Sequence, residues 1–134
     1  MEEKMNESTP LRPEGERTVD APLVTIDLAR FMEQIKKEAA WLNGPRNAIT
    51  VFKSDRLRLV LIALHGGAEL PTHTADGMIS VQVLSGSIRF GTGDASATLK
   101  TGQMVTLHEK IPHSVLALEE SMFLLTLAPI PKSA

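Results

Sequence analysis

The chain contains no cysteine and no tyrosine, and only 4% of its 134 residues are aromatic. The lack of cysteine excludes disulfide bonds, thiolate metal sites and cysteine nucleophiles. The shortage of aromatic rings argues against a sugar-binding lectin, because carbohydrate sites commonly use aromatic faces for stacking. A chain without cysteine also fits a reducing compartment, and we expect a cytoplasmic protein.

Long apolar runs and a large excess of one charge are absent as well. No stretch reaches the roughly 18 consecutive apolar residues that a membrane span requires. Residues 1–20 carry six acids and three bases without an apolar stretch, so we expect no signal peptide. The formal net charge of −2 gives no reason to expect a nucleic acid or a membrane surface as partner.

Composition divides the chain into three segments. Residues 1–20 mix prolines, glycine and charges without an apolar period and are predicted to form a flexible tail. Residues 21–47 contain the single predicted helix, over 28–42, which either covers a sheet of its own subunit or forms a partner interface. Its apolar stripe consists of Leu28, Phe31, Met32, Ile35, Ala39 and Leu42. Residues 48–130 are predicted to be one β-barrel domain.

Short β-rich runs with turn signals between them predict an all-β fold of the jelly-roll type. The runs are 48–53, 57–65, 78–84, 87–91, 95–100, 103–107, 113–118 and 121–128. Gly91 and Gly93 lie between two of these runs, whereas a phosphate-binding loop leads from a strand into a helix. This glycine pair therefore predicts a hairpin turn.

Two histidines stand at regular distances from glycines. Gly67 is followed by AELPT and then His73, and Gly102 is followed by QMVTL and, farther on, by His113. In these spacings the chain resembles the cupin superfamily: the first pair begins the first cupin motif, and the second pair fits the second motif. Gly86 lies where the first motif has its closing glycine.

The resemblance covers residues 48–128 and implies a specific barrel. This barrel is the double-stranded β-helix, or cupin jelly roll, here preceded by one N-terminal amphipathic α-helix. The second motif departs from the family at three positions. His108 stands on its proline, Lys110 on its glycine and Ala117 on its asparagine.

The metal site that the resemblance implies is incomplete. In the family, two histidines and a glutamate of the first motif and one histidine of the second bind the metal. The four positions here are His73, Ala75, Ile79 and His113. Alanine and isoleucine donate no electron pair, and a catalytic metal normally has three protein ligands. His65 and His108 lie near strand ends, so a three- or four-histidine site for Fe, Mn, Ni, Cu or Zn stays open.

The resemblance also implies that His73 and His113 face each other in the mouth of the barrel. Because side chains alternate along a strand, the residues below them should form a small aliphatic pocket. The expected lining is His73, Ile79, Val81, Val83, His113, Val115 and Ala117. Two imidazoles above apolar walls could hold the polar end of a ligand or exchange a proton with it.

Three functions follow as hypotheses. The first is a binding protein for a small, mostly apolar ligand with one polar group near His73 and His113. The second is an enzyme, either metal-dependent or using these two histidines as acid and base. The third is a structural or interaction protein whose barrel is filled by its own side chains.

A homodimer is expected, because small cupins bury a sheet face against a second copy and both faces of the run 57–64 are apolar.

Overall fold

The computed structural model describes residues 3–131, and most of them belong to antiparallel strands. The strands of the body are β3 (Arg46–Lys53), β4 (Arg58–Leu64), β5 (Glu69–His73), β6 (Gly77–Ser85), β7 (Ser87–Thr92), β8 (Ser96–Lys100), β9 (Met104–Leu107), β10 (His113–Ala117) and β11 (Ser121–Pro129). The predicted all-β fold is confirmed, and each of the eight predicted runs is a strand. The predicted hairpin joins β7 to β8, with Gly93 in the turn and Gly91 still paired in β7.

One of the body strands, β5, was not predicted from the sequence. Its residues are Glu-Leu-Pro-Thr-His, which have little apolar alternation and include a proline. The proline is tolerated because β5 is the edge strand of its sheet. His73 therefore lies at the end of a strand.

Two sheets form the barrel. The larger has the strand order β3-β4-β11-β6-β9, and the smaller has the order β5-β10-β7-β8. Alternate residues of both sheets point inward and form one apolar cluster. Its buried members are Ile62, Leu64, Ile79, Val81, Val83, Ile88, Phe90, Leu99, Val115, Ala117 and Phe123.

The tight turns of the barrel depend on the glycines that carry the family resemblance. Gly67, Gly86 and Gly102 have φ values of 85°, 88° and 87°. L-residues with a side chain avoid this left-handed region, whereas glycine enters it freely. At Gly86 a β-carbon would also collide with the backbone oxygen of Glu120. The spacing of these glycines thus records where the backbone must turn.

The predicted helix over 28–42 is corrected to two shorter helices. These are α1 (Leu28–Ile35), which Asp27 caps at its start, and α2 (Ala39–Asn43). The helix stops because Glu38 is extended, with φ −81° and ψ 152°, and its carboxylate is held by hydrogen bonds to neighbouring side chains. No helix within residues 3–131 is long and apolar enough to cross a membrane.

The two helices cover the outer face of β3 and β4. A second apolar cluster fills this interface and includes Trp41, whereas Leu42 is exposed. Its buried members are Ile35, Trp41, Ile49, Val51, Leu61, Ala63 and Met122. Of the two roles open for the helical segment, covering its own sheet is the one observed. Both faces of β4 are thus covered within one chain.

The N-terminal segment differs from the flexible tail predicted for residues 1–20. Residues 3–20 contain two paired strands, β1 (Lys4–Asn6) and β2 (Arg17–Asp20), and Val19 and Asp20 are buried. Residues 1 and 2 lie outside the described part of the chain. The prediction failed because this segment has few apolar residues, and its contacts are mainly polar.

Two arginines fasten the N-terminal segment to β3. The Nε–H of Arg12 donates to both carboxylate oxygens of Glu38, at 2.9 Å each, and its Nη2 donates to the Ala48 carbonyl at 2.7 Å. Nε and Nη2 of Arg17 donate to the Thr50 carbonyl at 2.9 and 2.6 Å. Burial, and then the charge of Arg12, lower the pKa of the Arg17 guanidinium. The two side chains satisfy carbonyls of β3, which is an edge strand.

Candidate functional site

Two loops bring the cupin motifs together at one end of the barrel. The loop 74–76 joins β5 to β6, and the loop 108–112 joins β9 to β10. The backbone N–H of Lys110 donates to the carbonyl of Ala75 at 3.0 Å and links them. His73 directly precedes the first loop and His113 directly follows the second.

His73 and His113 lie opposite each other in the pairing of β5 with β10. Their ring centroids are 4.3 Å apart, and the ring planes make an angle of 58°. His113 is only 4% exposed and stacks on Phe90, with centroids 5.5 Å apart, whereas His73 is exposed. One imidazole is therefore set in the barrel wall, and the other lies above it at the surface.

Each histidine makes the same local hydrogen bond. The Nδ1 atom of His73 is 2.9 Å from the Pro71 carbonyl oxygen, and that of His113 is 3.0 Å from the Ile111 carbonyl oxygen. A carbonyl oxygen only accepts, so each Nδ1 must carry the proton. In a neutral imidazole the Nε2 atom then has a free lone pair. The pair thus presents two acceptor or metal-ligating nitrogens.

Apolar residues that pack against the barrel core are less completely buried at the end where the histidines lie. At the opposite end Leu64 and Phe123 are 0% and 1% exposed. Ile62, farther along β4, is 9% exposed, and Val60 is only partly buried. On β11 the same change occurs between Phe123 and Leu127, which pairs with Ile79 at the start of β6. We call this end the mouth of the barrel.

Six of the seven expected lining residues are 5% exposed or less, and His73 is exposed. Ile79 follows the loop 74–76 closely, and Val115 lies two residues beyond His113. Val83 and Ala117 lie toward the opposite end of the barrel.

Sequence reasoning missed several apolar residues at the mouth. They are partly buried and pack against the barrel core: Val60, Ala75, Leu107, Leu125 and Leu127. The alternation in β4, β9 and β11 could have identified all but Ala75. In β4 and β11, however, both faces are apolar, so the alternation alone does not show which face points inward.

His65 does not join the histidine pair. Its ring stacks on Trp41 with centroids 3.5 Å apart and planes at 17°, and its Nε2 is 2.9 Å from the Trp41 carbonyl oxygen. It therefore connects the end of β4 to α2. The bond occupies its Nε2 atom.

The His108 side chain is 78% exposed, and its Nδ1 lies 4.0 Å from the carboxylate of Glu109. Within residues 3–131 no three histidine, aspartate or glutamate side chains are grouped so that they could hold a metal ion. The three- or four-histidine site left open by the sequence is therefore not formed by these residues. Ile79, on the family's glutamate position, is buried in the core. The donor set does not fit a three-ligand metal centre.

Lys110 occupies the position where the second cupin motif has a glycine, and its backbone explains that preference. Its φ is 64°, the one positive value among non-glycine residues 3–131. The loop thus keeps the left-handed turn of the motif although the residue has changed. The turn allows the Lys110 N–H to reach Ala75.

Comparison with known proteins identifies the fold. No family model and no curated protein matches the chain. Among solved structures it is similar to a conserved protein of unknown function from Streptococcus pyogenes, with a TM-score of 0.67, 21% identity and coverage of 86% of this chain and 94% of that one. A cupin superfamily protein from Desulfitobacterium hafniense gives a TM-score of 0.62, 14% identity and coverage of 63% and 78%.

A third similar structure is an RmlC-like cupin protein from Desulfovibrio desulfuricans, with a TM-score of 0.58, 29% identity and coverage of 63% and 84% of the two chains. The barrel of this protein is thus the cupin jelly roll. The fold is therefore that of cupins, and the solved structures similar to this chain include RmlC-like and cupin-2 proteins. The fold defines no activity, because cupin barrels support many functions.

Proposed function

We propose that the protein binds a small, mostly aliphatic molecule in the mouth of the barrel, with the polar group of that molecule on His73 and His113. The observation that carries this proposal is the position of the two imidazoles at one end of the apolar barrel interior, where apolar residues that pack against the core are only partly buried. Sites for small molecules combine an apolar lining with a few fixed polar groups. The mouth has both.

The hydrogen bonds of the histidines support the same function. Because each Nδ1 is held by a carbonyl of its own strand or loop, both rings are oriented before a ligand arrives. His113 is further fixed by its stacking on Phe90. A site oriented in advance loses little conformational entropy on binding. The ligand would therefore be recognised without rearrangement of these two side chains.

A metal-dependent cupin enzyme is the second candidate. Carbonyl partners at Nδ1 are typical of histidines that bind a metal through Nε2. Only two such nitrogens meet here, however, and a catalytic metal normally has three protein ligands. An acid/base enzyme using His73 and His113 would need no metal, and a filled barrel with an interaction role is the third hypothesis. We rank ligand binding first because it uses the groups present.

We further propose a cytoplasmic homodimer. The helices cover the outer face of β3 and β4, so we place the dimer face on another part of the larger sheet. The outer face of β6 and β9 carries Met78 and Met104, 44% and 52% exposed. Analytical ultracentrifugation at micromolar concentration measures the assembly directly, and a monomer there would overturn the homodimer.

The binding proposal is tested by nuclear magnetic resonance on untagged protein that has been treated with a chelator. Methyl-labelled protein is titrated with 1-hexanol, a simple aliphatic probe with one polar group. We expect shift changes at Ile79 and Val115, near the mouth, and smaller ones at Val83. Ile49, in the cluster under the helices, is the internal control. Absence of shifts at millimolar probe, or shifts at Ile49 alone, would overturn binding in the mouth.

A further inference from the structure

The ligand class follows from which nitrogen of each histidine carries the proton. We infer that the mouth selects a neutral ligand that donates a hydrogen bond, such as an aliphatic alcohol, over one that can only accept. This inference rests on the proposed function and deepens it. Its basis is the pair of bonds from Nδ1 of His73 to Pro71 and from Nδ1 of His113 to Ile111.

The two bonds leave the neutral pair without a donor for a ligand. A neutral imidazole has one N–H, and here that N–H is used by a carbonyl oxygen in both rings. Among residues 3–131 no protein group is hydrogen bonded to either Nε2. A ligand in the mouth thus meets two lone pairs. An O–H or N–H group of the ligand can donate a hydrogen bond to one of these lone pairs. An ether or carboxylate oxygen cannot donate, and its own lone pairs would be repelled by those of Nε2.

The hydroxyl of the residue that pairs with His113 on β7 does not supply the missing donor. Thr92 pairs with His113 across β7 and β10. Its Oγ1 accepts from the Ala95 N–H at 3.1 Å and donates to the Ala95 carbonyl at 3.3 Å. The hydroxyl is therefore engaged within its own turn and supplies no free proton to a ligand.

The aliphatic body of the ligand is set by the residues around the pair. Ile79, Val115 and Phe90 are buried beneath the histidines, and the rim residues Val60 and Leu127 are partly buried and apolar. A lone polar group buried there without a partner would be unfavourable. One donor group on an aliphatic chain fits both parts of the mouth.

The first experiment compares two isomers, 1-hexanol and methyl pentyl ether, with hexanoate as a third probe. All are titrated at pH 8.5, well above the range in which histidine ordinarily titrates. One neutral hydrogen bond is worth about 1 kcal/mol, so we expect the alcohol to bind roughly 3- to 10-fold more tightly than the ether. We expect hexanoate to bind more weakly than the alcohol.

The outcomes separate the two proposals. If none of the three probes binds at the mouth, the proposed function fails and this inference fails with it. If the ether or hexanoate binds there as tightly as the alcohol, the proposed function stands and the donor inference is overturned. A preference for the alcohol that persists in His73→Ala and disappears in His108→Ala would also overturn it. His108 is the matched control because its side chain is 78% exposed and apart from the pair.

A second measurement tests the protonation of the nitrogens without any ligand. Long-range ¹H–¹⁵N correlation spectra distinguish a protonated ring nitrogen from one with a free lone pair. We expect Nδ1 of the protonated type and Nε2 of the unprotonated type in both His73 and His113 at pH 8.5. The opposite assignment in His113, the buried ring, would overturn the inference whatever the probes do.

Discussion

The backbone N–H of Lys110 donates a hydrogen bond of 3.0 Å to the carbonyl oxygen of Ala75. This single bond joins the loop that precedes His113 to the loop that follows His73. It depends on the left-handed backbone of Lys110, whose φ is 64°. The geometry of the mouth is thus fixed partly by a residue that takes no part in the apolar core.

The first prediction concerns this backbone strain. The left-handed conformation of a non-glycine residue lowers the free energy of unfolding by about 1–2 kcal/mol. Glycine avoids this strain, but its greater backbone freedom in the unfolded state lowers the free energy of unfolding by about 0.5–1 kcal/mol. We therefore expect Lys110→Gly to raise the free energy of unfolding by roughly 0.5 kcal/mol, measured by urea denaturation. Lys37→Gly, at an exposed lysine without positive φ, should lower it. Equal losses in both variants would contradict the strain argument.

The second prediction compares two ion pairs of similar length. Arg12 and Glu38 are 2.9 Å apart with the Glu38 side chain 5% exposed, whereas Lys36 and Glu120 are 2.8 Å apart with both side chains more than 40% exposed. Arg12→Ala leaves a buried carboxylate without its cation and should cost about 1–3 kcal/mol of unfolding free energy.

The exposed pair is the control for that comparison. Lys36→Ala should cost at most about 0.5 kcal/mol, because exposed ion pairs are screened by water. Limited proteolysis gives a second readout: Arg12→Ala should speed cleavage within residues 3–20, since Arg12 fastens this segment to Glu38 and β3. Wild-type cleavage rates together with unchanged stability would refute the anchoring role.

The third prediction concerns the structural role of His65. Its ring stacks on Trp41 and its Nε2 is bonded to the Trp41 carbonyl, so His65→Ala removes both contacts. An aromatic pair contributes about 0.5–1.5 kcal/mol and a hydrogen bond about 1 kcal/mol, and we expect a loss of roughly 1.5–2.5 kcal/mol. The measurement is again urea denaturation. His108→Ala should stay within about 0.5 kcal/mol of wild type; similar effects of the two changes would argue against the assigned role.

Most of the barrel could be predicted because its strands carry period-two apolar patterns and its turns carry glycines. The motif spacing predicts turns at Gly67, Gly86 and Gly102, and each of these residues has the positive φ that favours glycine. The edge strand β5 was not predicted because Pro71 and its polar neighbours break the period-two pattern. The sequence thus predicts strands that bury one face, but it does not predict an edge strand that has little apolar alternation.

The parts that depend on long-range polar contacts could not be read from local patterns. The apolar stripe of 28–42 fits one helix. In the structure, however, Glu38 has an extended backbone, and its carboxylate accepts a hydrogen bond from Arg12, which lies 26 residues earlier. The same contact orders part of the segment predicted to be a tail. At the mouth, the cupin resemblance predicts the pairing of His73 with His113, whereas no sequence pattern predicts the bonds from their Nδ1 atoms to the Pro71 and Ile111 carbonyls.

The last prediction restores the ligand positions at which the family has histidine and glutamate. The double variant Ala75→His, Ile79→Glu places two further donors beside His73 and His113. Without metal it should be less stable than wild type by several kcal/mol, because Ile79 is 5% exposed and a carboxylate there is buried. Added Zn²⁺ or Mn²⁺ should recover stability, by about 2.7 kcal/mol at a free concentration 100 times the dissociation constant.

The readout is the thermal unfolding midpoint with and without metal. We expect a metal-dependent rise in the double variant that the further change His113→Leu abolishes, and a much smaller rise in wild type. If the double variant does not respond to either metal, the alignment of Ala75 and Ile79 with the family's ligand positions is wrong. A wild-type response as large as that of the variant would instead favour the metal-dependent candidate, since His73 and His113 would then bind metal without the missing two ligands.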